Sequence, residues 1–262
     1  CSTDIAYADD GIKAHMLDIY RPEDSQEKIL PVIINVHGGG LIIGNKEFNR
    51  YFCALLCKKG FLVYSIEYRL IPDCLIYDQI ADVFMAMDYI KERLAADGGD
   101  SSHVYMAGDS GGACLITYAN AIQNSTNIAR AANVTPSGLR INALGLISGM
   151  FYTSRFDKIG LFLPKYLYGR DYKKTSFAKY VNPENRELLN SLAPVWLVTS
   201  HNDFLRRYTT DFEKALTRAE REHELVVFPK NKKLTHAFSV FEPFLPESSA
   251  VIDMMVEYLR KF

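Results

Sequence analysis

The sequence predicts an α/β fold with a mostly parallel, eight-stranded sheet and helices on both faces. Three observations carry that expectation. Runs such as Val32-Ile33-Ile34-Asn35-Val36 and Phe61-Leu62-Val63-Tyr64-Ser65-Ile66 are almost continuously apolar, as strands covered on both faces require. Between them apolar residues recur at helical spacing, most plainly at Ile80, Val83, Phe84, Met87 and Ile90. Strands and helices alternate along the chain, which implies right-handed crossovers.

Taken in order, residues 4–8 and 15–21 read as two short strands around Asp9-Asp10-Gly11, an antiparallel edge to the sheet. A polar link runs from Glu23 to Lys28. Residues 31–36 form the first buried strand, which ends in His37-Gly38-Gly39-Gly40. A helix over 48–59 stops at Gly60, and a strand over 61–66 follows. A loop carrying Tyr68-Arg69-Leu70-Ile71-Pro72 leads to a helix over 77–96. The run from Val104 is a strand that turns at Gly108-Asp109-Ser110-Gly111-Gly112 into a helix over 111–123. Polar residues 124–138 read as surface loop, and 141–147 as a strand. Residues 149–190 hold no clear strand. Residues 195–199 form a strand, 208–221 a charged helix, 225–228 the last strand and 247–261 the closing helix. With no repeat or linker, 1–262 is expected to be one domain and 149–190 a cap inserted into it.

Composition excludes several classes. A formal net charge of −1 gives no basic surface for nucleic acid. No apolar run approaches the length of a transmembrane helix. The 5 cysteines are odd in number and scattered, so they form no disulfide framework. Cys53 and Cys57, four apart with no matching Cys/His pair, read as small hydrophobes rather than zinc ligands. That usage points to a reducing, cytoplasmic compartment. The chain opens at Cys1 without a methionine, so a processing boundary is expected, with a lipid-modified cysteine as the alternative.

The chemistry centres on Ser110. A serine between two glycines, on a turn from strand to helix, has its hydroxyl thrown clear of both elements. The helix behind it presents free N–H groups and a positive dipole end. A neutral alcohol attacks an acyl carbon slowly unless a base takes its proton. His236 lies in the loop between the last strand and the closing helix, and imidazole titrates in the right range. His15, in the first hairpin, His103, at the far end of its strand, and His223, in a charged helix end, fit less well. His201 precedes the acid candidate. Asp203, in His201-Asn202-Asp203-Phe204-Leu205, would hold the His236 tautomer, while Asp211 lies inside the next helix. Three glycines after His37 let main-chain N–H groups face a ligand, and with the N–H of Gly111 they would form an oxyanion hole. His37 itself reads as a brace for that loop.

These residues resemble the hormone-sensitive-lipase-type branch of the α/β-hydrolases. The matching stretches are His37-Gly38-Gly39-Gly40, Tyr68-Arg69-Leu70, Gly108-Asp109-Ser110-Gly111-Gly112, Asn202-Asp203-Phe204-Leu205 and His236-Ala237-Phe238. The resemblance implies Ser110 as nucleophile, Asp203 as acid, His236 as base, and Gly38, Gly39 and Gly111 as oxyanion donors. Two features depart from the family. Its long N-terminal cap has no counterpart in the thirty or so residues before the H-G-G-G strand. The residue after the nucleophile, commonly Ala, is Gly111. In compensation, nine of the thirty residues from Phe151 to Tyr180 are aromatic, against 12% overall, and they are expected to form a lid. Gly40, Asp109, Phe151 and Tyr152 are the expected pocket lining.

The resulting expectation is a serine hydrolase that cleaves small or short-chain carboxylic esters through an acyl-enzyme, with no metal or cofactor. A deacetylase of acetylated sugars, or another acyl hydrolase with the same residues, is the alternative. A non-catalytic binding protein on the same fold is the third reading.

Overall fold

The computed structural model describes residues 1–25 and 28–262, so residues 26 and 27 of the expected polar link lie outside the described residues. The first two strands are β1 (Ser2–Ala6) and β2 (Met16–Tyr20), followed by a short 3-10 turn at Glu23–Ser25. Then come β3 (Leu30–Val36), a 3-10 turn at Lys46–Asn49 running into α1 (Arg50–Lys58), and β4 (Leu62–Ile66). α2 (Ile76–Arg93), β5 (Gly99–Asp109), α3 (Ser110–Asn124), α4 (Thr126–Ala132) and β6 (Ala143–Ile147) follow. After β6 the chain forms α5 (Lys158–Tyr168), two 3-10 turns and α6 (Arg186–Asn190). It closes with β7 (Val195–Ser200), α7 (Arg206–Arg218), β8 (His223–Phe228), α8 (Phe238–Phe241) and α9 (Pro246–Leu259).

The strands form one 8-stranded sheet in the order β1-β2-β4-β3-β5-β6-β7-β8. β1 and β2 pair antiparallel, and β2 joins β4 antiparallel. Every later pairing is parallel, from Val32 opposite Leu62 to Ser200 opposite Phe228. Successive residues of a strand point to opposite faces, so each central strand feeds two cores. Val32, Ile34, Val36, Met106 and Leu197 pack toward α2, α3 and α7. Ile33, Val63, Tyr105, Trp196 and Val198 pack toward α1 and α9. Each fully buried aliphatic contributes roughly 1.5–3 kcal/mol relative to an exposed one.

Two sequence expectations change. Residues 124–138 contain the helix α4, because Ser125 accepts the Ile128 N–H as an N-cap and Asn133 closes the far end at φ 54°. Its apolar residues Ile128, Ala129 and Ala132 are buried, a pattern too short to stand out in a polar stretch. His223 opens β8 instead of ending a helix, with Arg221 looping back to the Leu216 carbonyl before it. Residues 149–190 hold no strand, as expected.

Candidate active site

Parallel pairing brings the C-terminal ends of β3, β5, β7 and β8 to one edge. Ser110 stands at the β5–α3 junction with φ 49°, a left-handed conformation that a side chain adopts at a cost of about 1–2 kcal/mol. The bend is held by contact. A Cβ on Gly108 would come within 2.4 Å of the Val36 carbonyl oxygen, and one on Gly112 within 2.1 Å of the same atom. Only glycine permits that approach between β3 and the elbow.

His236 Nε2 lies 2.9 Å from Ser110 Oγ, and His236 Nδ1 lies 2.7 Å from Asp203 Oδ1. Three side chains from three distant loops thus form one hydrogen-bonded line. Asp203 is held from several sides. Its Oδ1 accepts the Leu205 N–H at 2.8 Å, and its Oδ2 accepts the Thr199 hydroxyl at 2.8 Å. Burial pushes the Asp203 carboxyl up. Hydrogen bonds from His236, Ser148 and Leu205, with the charge of the imidazole, outweigh burial and hold it below its ordinary 3.8. Phe204 packs over the His236 ring with centroids 4.3 Å apart.

Ser148 is a residue the sequence reading missed. It follows β6 with φ 49°, and its hydroxyl accepts the Ala237 N–H at 3.1 Å. Ala237 also has φ 49°, so two residues beside the hydrogen-bonded line sit in the same sparse region as Ser110. The available signal was position: Ser148 is the first residue after a strand whose neighbours all end in site residues.

The glycine loop is braced as expected. His37 Nε2 contacts Glu67 Oε1 at 3.0 Å, and the ring stacks on Tyr68 with centroids 4.3 Å apart. The Tyr68 hydroxyl donates to the His37 carbonyl at 2.8 Å. Gln79 donates to the carbonyls of Leu41 and Arg69 at 3.0 and 2.8 Å, which ties the Tyr68-Arg69-Leu70 stretch to the loop.

One expected donor is otherwise engaged. The Gly38 N–H donates to Asp109 Oδ1 at 3.0 Å, so it points into the protein and not toward a ligand. The same oxygen accepts from Asn49 Nδ2 at 3.0 Å, and Asn49 in turn reaches Asn35 and, through it, Ser65. Asp109 Oδ2 is buried without a partner among the described residues. Burial raises the Asp109 carboxyl above its ordinary 3.8, against the hydrogen bonds of Asn49 and Gly38. Gly39 and Gly40, at φ 107° and 62°, face the open side of the loop, and among the described residues no protein group accepts their N–H.

A cavity of about 420 Å³ opens above Ser110. Gly40 and Asp109 are among the residues that line it. Phe151 and Tyr152 do not: Phe151 stacks on Phe212 at 4.2 Å, and Tyr152 packs edge-on against Tyr208 while its hydroxyl donates to Glu184. Both are core residues, drawn inward by the same apolar surface that suggested a lid. Tyr168, Phe177 and Tyr180 are buried with them. The apolar lining comes instead from Ile42, Ile43, Phe48, Met150, Phe204, Leu205 and Phe241, with Ile159, Phe162 and Leu163 of α5 opposite. Of the nine clustered aromatics, Phe162 is the one on this cavity.

Among the described residues no group of three or more His, Cys, Asp or Glu is arranged to hold a metal ion. Cys53 and Cys114 are buried, and burial pushes both thiols up to about 12, so neither is a ready nucleophile. No helix among the described residues is long and apolar enough to cross a membrane.

Comparison with known proteins agrees with this fold. A family model described as alpha/beta hydrolase fold matches residues 33–239. A rice (Oryza sativa subsp. japonica) protein named probable isoprenylcysteine alpha-carbonyl methylesterase is 29% identical over 184 residues, 66% of this chain and 44% of that protein. Esterase LipQ of Mycobacterium tuberculosis is 32% identical over 120 residues, covering 45% of this chain and 28% of that one. The chain spans less than half the length of these curated relatives. Among solved structures, esterase B from Lactobacillus rhamnosis superposes with a TM-score of 0.92 at 23% identity, over 99% of this chain and 84% of that chain. An esterase from the archaeon Pyrobaculum calidifontis gives a TM-score of 0.72 at 21% identity, over 94% and 81%. At such identities the structural likeness speaks for the fold.

Proposed function

This chain belongs to the α/β-hydrolase fold family, and from that premise we propose that it is a serine carboxylesterase acting on small, short-chain esters. The observation that carries the reading is the line from Ser110 Oγ through His236 to Asp203, at 2.9 and 2.7 Å. Ser110 attacks the ester carbonyl as His236 Nε2 takes its proton. Asp203 keeps the imidazole oriented and stabilises its charged form. The tetrahedral oxyanion is met by the N–H groups of Gly39, Gly40 and Gly111; Gly38 instead anchors the loop through Asp109. The protonated His236 gives its proton to the leaving alcohol, which leaves an acyl-enzyme on Ser110. A water deprotonated by His236 then releases the acid and restores the serine.

The cavity volume falls in the range of small-molecule sites, and its apolar walls suit an uncharged acyl or alcohol group. Residues 149–190 act as a small cap, since α5 supplies one wall. The names of the relatives, esterases and methylesterases, support a carboxylic ester as the bond cleaved. Hydrolysis of p-nitrophenyl acetate with an initial acyl burst is the expected result, together with covalent labelling of Ser110 by a fluorophosphonate. A folded protein that neither hydrolyses the ester nor takes the label overturns the reading. Acetylated sugars assayed beside alkyl esters separate the deacetylase alternative.

A further inference from the structure

α5 stands between two concave surfaces. Its inner side closes the Ser110 cavity with Ile159, Phe162 and Leu163. On its outer side a cleft of about 520 Å³ opens between Phe156, Leu161, Lys165, Arg170 and Lys173. The chain carries a net charge of −1, yet between residues 154 and 174 Arg155, Lys158, Lys165, Arg170, Lys173 and Lys174 meet only Asp157 and Asp171. Much of the countercharge is committed. Asp157 caps α5 and accepts the Tyr208 hydroxyl, Asp171 pairs with Lys174, and Arg155 pairs with Asp211. Among the described residues no carboxylate pairs with Lys158, Lys165, Arg170 or Lys173, and all four are exposed.

Interleaved with these cations are apolar side chains turned to solvent: Phe156 is 92% exposed, Tyr166 61% and Leu161 55%, while Phe162, on the cavity side of α5, is 72% exposed at the mouth. Scattered exposed apolar residues are ordinary, but three on one helix and its lead-in, continued by Phe162 at the cavity mouth, form a patch. The far rim of the cavity mouth continues it, with Phe204 73% and Ile43 63% exposed. Cations beside aromatic and leucine side chains suit the boundary of an anionic bilayer, where charges meet headgroups and rings enter the acyl border. A second copy fits poorly, because a twofold interface would set this cationic segment against itself. An uncharged protein partner would bury four cations without countercharge.

We propose that the outer face of α5 docks on an anionic lipid bilayer, which places the mouth of the Ser110 cavity at the lipid–water boundary. Docking needs neither Ser110 nor His236, so it stands or falls apart from the esterase reading. The test is co-sedimentation with vesicles of phosphatidylcholine alone and of phosphatidylcholine with phosphatidylserine. Binding is expected to the second and not the first, and to weaken with added salt, since exposed charges are screened over about 10 Å at 0.1 M. The double variant Lys165→Glu/Lys173→Glu should lower partitioning by roughly thirtyfold or more, at about one kcal/mol for each lysine near such a surface. Phe156→Ser should lower it independently of charge. None of these residues lines the Ser110 cavity, and an unchanged circular-dichroism melting transition reports that each variant is folded. No sedimentation with anionic vesicles at low salt overturns the proposal, as does binding that the double variant leaves intact. A salt-resistant dimer in analytical ultracentrifugation, lost in Phe156→Ser, assigns the face to a second copy and also overturns it.

Discussion

The two walls of the Ser110 cavity are built in different ways. The sheet-edge wall is a mesh of directed hydrogen bonds: His236 between Ser110 and Asp203, Asp203 between Thr199 and Leu205, Gly38 on Asp109, Tyr68 on His37. The α5 wall touches the cavity with Ile159, Phe162, Leu163 and Lys158. Hydrogen bonds fix position to tenths of an ångström, whereas apolar contact tolerates exchange of one side chain for another. Proton transfer needs the first kind of wall. Accommodating different acyl groups needs the second.

The contrast breaks most sharply at the sheet edge. Ser110→Ala should lower kcat/KM for p-nitrophenyl acetate by on the order of 10⁶-fold, and Asp203→Asn by on the order of 10⁴-fold, because an amide holds the wrong imidazole tautomer. Steady-state kinetics checks both. A loss of less than tenfold in Ser110→Ala would remove this wall from the chemistry.

Asp109 tests whether the mesh extends behind the nucleophile. Asp109→Ala leaves the Gly38 N–H without its acceptor and Asn49 Nδ2 with Asn35 alone, and should cost roughly 1–3 kcal/mol for the first, with less for the second, in urea unfolding. Asp109→Asn keeps an acceptor oxygen and should retain most of that stability.

The two buried carboxylates should also respond to acid in opposite directions. Asp203 is held below 3.8, so its contribution to stability is present above that pH and fades as pH falls through the folded value. Asp109 is held above 3.8, so its protonated form favours the fold at low pH, and that contribution is lost as pH rises through its folded value. Urea midpoints measured across pH 3 to 7 check the signs. Relative to the parent, Asp203→Asn should flatten the acid loss and Asp109→Asn should steepen it.

The smallest effect is expected on the other wall. Phe162→Ala should raise KM for a butyrate ester about two- to fivefold with kcat nearly unchanged, the mark of a contact made equally in ground and transition states. An equal fall in kcat would show that α5 shares in positioning, and the difference between the walls would narrow.

Most of the sheet-edge wall was legible in the sequence. Buried strands announce themselves by unbroken apolar runs, and Ser110 and Asp203 each follow one; His236 follows the half-buried edge strand β8. What escaped depended on contacts that spacing does not encode. Gly38 could be assigned as an oxyanion donor because a glycine beside an oxyanion and a glycine beside a buried carboxylate read alike; only the Asp109 contact separates them. Ser148 is an ordinary serine until its hydroxyl is seen on Ala237. Aromatic density places Phe151 and Tyr152 at the cavity, but density also marks the core, where they pack on Phe212 and Tyr208. α4 was hidden by its polar neighbours, its buried face being only Ile128, Ala129 and Ala132.

Gly111 has a consequence for how such a chain can vary. A methyl group there would sit 2.9 Å from the Leu41 nitrogen and 3.1 Å from that of Gly40, so helix and loop are nested too closely for a side chain between them. An alanine at 111 is therefore admissible only in company with a loop set further out. The two segments must drift together under selection, and a library that randomises either one alone will recover mostly the parent.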